Sequence, residues 1–315
     1  MLHITNGDSV IESFHQAGLT GEYLPWRDVL FEGPVAGRPL ESLSDLRASA
    51  LAGLGWGAYP DLRREFAARD AALNAFRCHD EVVLWFEHDL CDQLQLIQLL
   101  AWFADRDLRD TLLSLININS FPGVEPFHGL GQLTGAQLLS LLPTRRPVTA
   151  AQLQHASAAW KAFCDPSPTP LAALLSAHIS PLPFLAPAVH RLLEEYPSLE
   201  NGLSRAERHL LEAADSGERL RKRLYLASQQ REEAVFMGDS SVWLRLDRLS
   251  HGPAPALETS GREYRITAHG RRLLACESDW IRSRGGVDLW HGGVHLSGPD
   301  AQWRWDRARG ALAEQ

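Results

Sequence analysis

The densest apolar stretch of the chain is Val82-Val83-Leu84-Trp85-Phe86, the unbroken run that a strand covered on both faces requires. It breaks into Glu87-His88-Asp89 and resumes as Leu90-Cys91-Asp92-Gln93-Leu94-Gln95-Leu96-Ile97-Gln98-Leu99-Leu100, a helix with a broad apolar surface. Upstream, Leu2 to Thr5 reads as a first strand, turned by Asn6-Gly7-Asp8-Ser9, with Val10, Ile11, Phe14 and Ala17 at helical spacing behind it. Glu22 to Trp26 reads as a second strand, and its Pro25 suits an edge position. Residues 42–54 and 62–76 repeat apolar positions every three or four, and Leu112 to Ile118 is a fourth strand ending near Asn117, Asn119 and Ser120.

Strand-helix alternation over roughly 120 residues predicts a parallel sheet, because each crossover needs a helix. The order 2-1-3-4 would make the first and third strands neighbours at the reversal point, where ligands bind in open α/β sheets. Beyond Thr134 the pattern turns helical, in stretches at 137–142, 150–163, 171–178 and 189–196 separated by prolines. The last part predicts helices at 203–214, 219–228 and 240–249, with a capping box at Ser204-Arg205-Ala206-Glu207. A hairpin about Ser260-Gly261 and a further helix from Gly270 follow. In the tail, Trp303 and Trp305 are expected to share a buried face, with Arg304 and Asp306 opposite. The expected architecture is α/β: a parallel α/β domain over 1–130, a helical bridge over 131–200, and an α+β domain with a Trp-rich tail over 201–315.

Composition narrows the classes. The 315 residues are 45% hydrophobic and 22% charged, ordinary values for a soluble globular protein. No apolar run approaches about eighteen residues, so no membrane partner is expected. The four cysteines, Cys78, Cys91, Cys164 and Cys276, lack paired spacing and fit a reducing, cytoplasmic setting. The net charge of -8 is uneven: residues 1–200 carry 13 Lys+Arg against 23 Asp+Glu, and residues 201–315 carry 18 against 16. The acidic part would repel a polyanion, which leaves nucleic acid as a partner only for a local basic face in the last part. Neither a phosphate-binding G-x-x-x-x-G-K-[ST] loop nor a G-x-G-x-x-G after the first strand is present.

The segments LHITNGDSV, LPWRDVLFEGP and WFEHDLCDQLQLIQLL together resemble the bacterial family catalogued as domain of unknown function 1835. That resemblance spans residues 2 to about 100 and implies a cytoplasmic bacterial protein, with no reaction attached. Three helices and a hairpin, with YRITAHGRRLL, resemble the winged-helix segment of bacterial regulators over about seventy residues. The opening Gly7-Asp8-Ser9 is also similar to the first block of SGNH-type lipases and esterases. In those families the serine is the nucleophile and a late Asp-x-x-His completes the set, a spacing met here by Asp288 and His291. Their Gly-x-Asn-Asp block is missing.

Candidate chemistry gathers at the strand ends. Glu87 and Asp89 should share one face of an extended segment, with His88 on the other, so the two carboxylates can hold a divalent metal or divide acid and base roles. His88 would assist proton transfer, or be a buried, hydrogen-bonded histidine. Asp8 at the end of the first strand completes the expected catalytic group, and is equally explained as a first-turn acid of the helix that follows. Gly7, Ser9, Asp28, Glu32 and Asn119 are the expected ligand-binding neighbours. Ser9 has two readings, nucleophile or helix cap in Ser9-Val10-Ile11-Glu12, and Asp89 is also a candidate cap. Asp28 and Glu32 equally suit a surface loop. Arg245 and Arg248 would line an exposed DNA-reading helix face, unless Asp247 pairs with them. The expected ligand is a small molecule, phosphorylated or nucleotide-like. The two functional readings are an acidic-site hydrolase or group transferase, and a ligand-sensing regulator.

Overall fold

The computed structural model describes residues 1–176 and 180–315. Its first part alternates β1 (Leu2–Thr5), α1 (Ile11–Gln16), β2 (Glu22–Pro25), α2 (Leu40–Gly53), α3 (Tyr59–Asn74), β3 (Glu81–Glu87), α4 (Leu90–Ala104) and β4 (Leu112–Ile118). These four strands are parallel, and the sheet order is β2-β1-β3-β4-β5. The fifth strand, β5 (Arg146–Pro147), adds an antiparallel edge that the sequence pattern did not predict. β1 and β3 lie side by side, with Ile4 beside Leu84 and Thr5 beside Trp85, so the expected adjacency at the reversal point holds.

β3 is buried at all seven positions. Its alternating side chains feed two cores. Val82, Leu84 and Phe86 join Ile4 and the apolar face of α4, while Val83 and Trp85 join Val10 and Phe14 on the far side. Burial on both faces is why the run is continuous rather than alternating. Each such side chain contributes about 1.5–3 kcal/mol.

α5 (Gly135–Leu141) closes the far face against α1, and α6 (Ala150–Phe163) covers α4. α7 (Thr169–Ala173) begins two residues before the predicted start at 171, and the predicted continuation to 178 falls partly outside the described residues. α8 (Leu185–Leu193) then leads into α9 (Arg205–Asp215), α10 (Arg221–Gln229) and α11 (Asp239–Ser250). α9 opens with the expected box: Ser204 accepts from the Glu207 amide, and Glu207 accepts from Ser204. The hairpin β6 (Leu257–Ser260) and β7 (Glu263–Ile266) is followed by α12 (Ala268–Leu274) and α13 (Trp280–Arg284). Two further hairpins finish the chain, β8 (Val287–His291) with β9 (Val294–Gly298) and β10 (Trp303–Asp306) with β11 (Ala311–Glu314). The whole is an α/β protein, a five-stranded mixed sheet flanked by helices with small antiparallel sheets after it. No described helix is long and apolar enough to cross a membrane.

Several charges expected on loops or an exposed helix are interior. Asp28 is buried beneath Arg47, whose Nε and Nη2 donate to Asp28 Oδ1 at 3.0 and 2.9 Å. Arg47 also donates to the carbonyls of Val29, Glu32 and Pro34, so it pins the loop after β2. Arg245 is buried as well and bridges Glu32 and Glu195. It therefore has no exposed face for DNA, and Glu32 serves it rather than a ligand. Arg191 ties Glu195 to Glu232, completing an interior chain of charges. In the tail, Trp305 is buried as expected, but so is Arg304, which pairs with Asp279 at the start of α13. A satisfied ion pair lets that guanidinium enter the core.

Candidate metal centre

The carboxyl ends of β1 and β3 meet at a cavity of about 300 Å³. Glu87 is the last residue of β3 and Asp89 the N-cap of α4. Asp89 Oδ1 accepts from the Asp92 amide at 3.1 Å, so the cap reading of Asp89 is correct. It does not exclude a second role, because Asp89 lines the cavity together with Glu87 and Asp92. All three are buried, and one oxygen from each lies within 4.8 Å of the others.

Asp92 anchors the group. Its Oδ1 accepts from the Glu87 amide at 2.7 Å, and its Oδ2 accepts from Asn6 Nδ2 at 2.5 Å. Glu87 accepts from the Leu130 amide. Across the cavity run His128, Gly129 and Gly131, and the third wall is Val235 to Gly238, from the segment between α10 and α11. Gly129 has φ +145° and presses on Glu87: a Cβ there would overlap the carboxylate, 2.7 Å from its carbon. Gly129→Ala is therefore expected to push Glu87 out of place. We expect about 1–2 kcal/mol of backbone strain and about tenfold weaker divalent-cation binding, checked by thermal melts and Mn²⁺ titration.

The electrostatics are those of acids crowded without a counter-charge among the described residues. Burial, then Asp92 and Asp89, push Glu87 up to about 10. Burial, then Asp92, raise Asp89 well above the carboxylate range. Burial lifts Asp92 to about 6 against the pull of the Glu87 amide and Asn6. The Cys91 thiol beside them is raised by burial and by the same acids. Three hard oxygen donors facing one cavity suit a divalent cation of the Mg²⁺, Mn²⁺ or Ca²⁺ kind and not a soft metal. The glycine that lets the loop close on Glu87 fits the same reading.

The other expected residues fall elsewhere. β3 ends at Glu87, so strand alternation does not reach His88; its ring lies 6.3 Å from Phe127 and 6.1 Å from Phe184. Burial, then His128, lower its pKa. It does not line the cavity, so His128 replaces it as the imidazole there. Asp8 points to solvent and pairs with Arg27 through two 2.6 Å contacts, which hold its carboxyl below the usual range. It is not a member of the acidic group. Gly7 does not line the cavity either; its carbonyl accepts from Thr5 Oγ1. Ser9 does line it. Ser9 is no helix cap, because the Ile11 amide bonds Asp8 O in a turn and the helix starts only at Ile11 with Val10 before it. Asn119 is exposed and outside the cavity. Asp288 and His291 line a different cavity, so they complete no triad with Ser9. Asn6 and Asp92 belong to the group without standing among the residues expected from the sequence. The Asp89-x-x-Asp92 spacing was the available signal, since a cap and the third helical residue face the same strand end.

No family model matches the chain, and no curated protein matches it either.

Proposed function

We propose that this is a divalent-cation-dependent enzyme, a hydrolase or group transferase acting on a small phosphorylated or nucleotide-like molecule at the carboxyl edge of the sheet. The observation that carries the reading is the convergence of Glu87, Asp89 and Asp92 on one cavity beneath Gly129. Glu87, Asp89 and Asp92 would hold the cation. Once bound, it would neutralise charge on a phosphoryl or carbonyl oxygen. Asn6 holds Asp92 in place, His128 stands where a proton can be given or taken, and residues 235–238 form one wall of the cavity. The likeness of the N-terminal segments to the domain of unknown function 1835 family, and a cytoplasmic bacterial setting, belong to this proposal.

The test is calorimetric titration of chelator-treated protein with Mg²⁺, Mn²⁺ and Ca²⁺, followed by a screen of phosphate esters with the cation that binds. Saturable one-site binding by at least one cation is expected. Absence of binding by all three sinks the reading.

The winged-helix-like reading of residues 201–315 stands second. What supports it is the order of α9 to α11 and the β6–β7 hairpin, with Arg221, Lys222 and Arg223 exposed. If it holds, duplex DNA binds with an affinity that falls as salt rises, and the triple change of these three to glutamate removes it.

A further inference from the structure

A larger cavity, about 730 Å³, lies where the loop after β2, the α8–α9 junction, α11 and the β8–β9 hairpin meet. It shares no lining residue with the carboxylate centre. Its volume falls in the range of small-molecule sites.

Three arginines reach its wall, Arg245, Arg248 and Arg284. Arg245 is taken, held between Glu32 and Glu195. The acids of the wall are taken too. Glu32 and Glu195 serve Arg245, and Glu195 also serves Arg191. Glu207 accepts from the Ser204 amide at 3.0 Å, and Asp288 is 2.7 Å from His295 Nε2. Among the described residues, neither Arg248 nor Arg284 has a carboxylate within ion-pair distance. Arg284 donates instead to the Arg248 carbonyl and lies 4.8 Å over the Trp280 ring, which links the two guanidinium-bearing residues. His291 also lines the cavity; it is buried, stacked on Tyr196 at 4.3 Å, and neither ring nitrogen has a partner.

Arg245 and Arg248 stand one turn apart on one helix face, so their charges repel. A recessed guanidinium without a counter-ion is costly, and a planar fork of donors matches an oxyanion best. We propose that this cavity is a second ligand site, in which Arg248 and Arg284 bind the oxyanion of a small molecule, a phosphate ester or a carboxylate. The site joins elements from both ends of the chain, so its occupant would also brace the loop that follows β2.

The experiment uses the full chain stripped of metal with EDTA, titrated with inorganic phosphate and with malonate. Sodium chloride at equal ionic strength is the control, read by thermal melts and calorimetry. Saturable stabilisation by one or both anions is expected, the tighter of the two identifying the group. Affinity should fall about tenfold or more in R248M and in R284M, the worth of a charge-assisted hydrogen bond. Without anion, R248M should melt at or above the wild-type temperature, since burial, Arg245 and Arg284 oppose the Arg248 guanidinium while Glu32 and Glu207 reach it only beyond ion-pair distance. Titrations indistinguishable from chloride, affinities unchanged in both variants, or an R248M melt lowered as far as that of R245M would each overturn the proposal.

Discussion

Asp92→Asn is expected to lower the affinity for Mn²⁺ by about a hundredfold or more and, in the metal-free protein, to raise stability at alkaline pH. The first effect follows because Asp92 is one of three carboxylates facing the same cavity, and affinity for a hard cation tracks ligand charge. The second follows from the sign of the proton linkage. Glu87 is held near 10, far above an ordinary carboxyl, by burial and then by Asp92 and Asp89. Between the ordinary value and about 10 the folded chain keeps a proton that the unfolded chain has lost. Metal-free wild type should therefore lose stability as pH rises from about 4.5 towards 10, by up to about 1.4 kcal/mol per pH unit. Removing the Asp92 charge flattens that slope. A bound cation reverses it, because protons and cation compete for the same oxygens, and at about a hundredfold excess over Kd it adds about 2.7 kcal/mol. Melting curves across pH, with and without Mn²⁺, measure all three. A variant that binds Mn²⁺ like wild type would remove Asp92 from the centre.

Arg245→Met should be the most destabilising single change among the charged residues of the C-terminal part, costing about 3–5 kcal/mol. It leaves Glu32 without a partner and takes from Glu195 one of its two arginines, all of them buried. Glu195 and Glu232 are each held at about 2: burial opposes ionisation, but Arg191 overrides it for both, with Arg245 adding to Glu195 and the nearby His209, 3.6 Å away, to Glu232. Folded values below the unfolded ones mean stability that is complete above about pH 4.5 and drains away towards pH 2. The wild-type acid limb should be steep in that window, and shallower in R245M because less is left to lose. Urea melts at pH 7 and pH 3 report both; a loss below about 1 kcal/mol at neutral pH would contradict the buried network.

Local periodicity revealed whatever depends on local physics. The run at Val82 to Phe86 announced a strand covered on two sides, Asp89 read as a helix cap, and the Ser204–Glu207 box marked a helix start. What stayed hidden depends on partners distant in sequence. Asp28, Glu32 and Arg245 carry charge and so read as exposed, yet each is sheltered by an opposite charge from another part of the fold; Arg245 and Glu32 are separated by 213 positions. Asn6 and Asp92 likewise meet only because the sheet order places β1 against β3. Asp8 shows the converse: the same turn chemistry that suggested a ligand equally suits a surface pair with Arg27.

Besides Arg47, the loop after β2 is fastened by groups made much later in translation, for Val35 donates to the carbonyl of Gly292 and Glu32 waits for Arg245. A ribosome supplies about 5–20 residues each second. The early strands can thus pair many seconds before that loop finds its later anchors, and until then Arg47 must hold it without them.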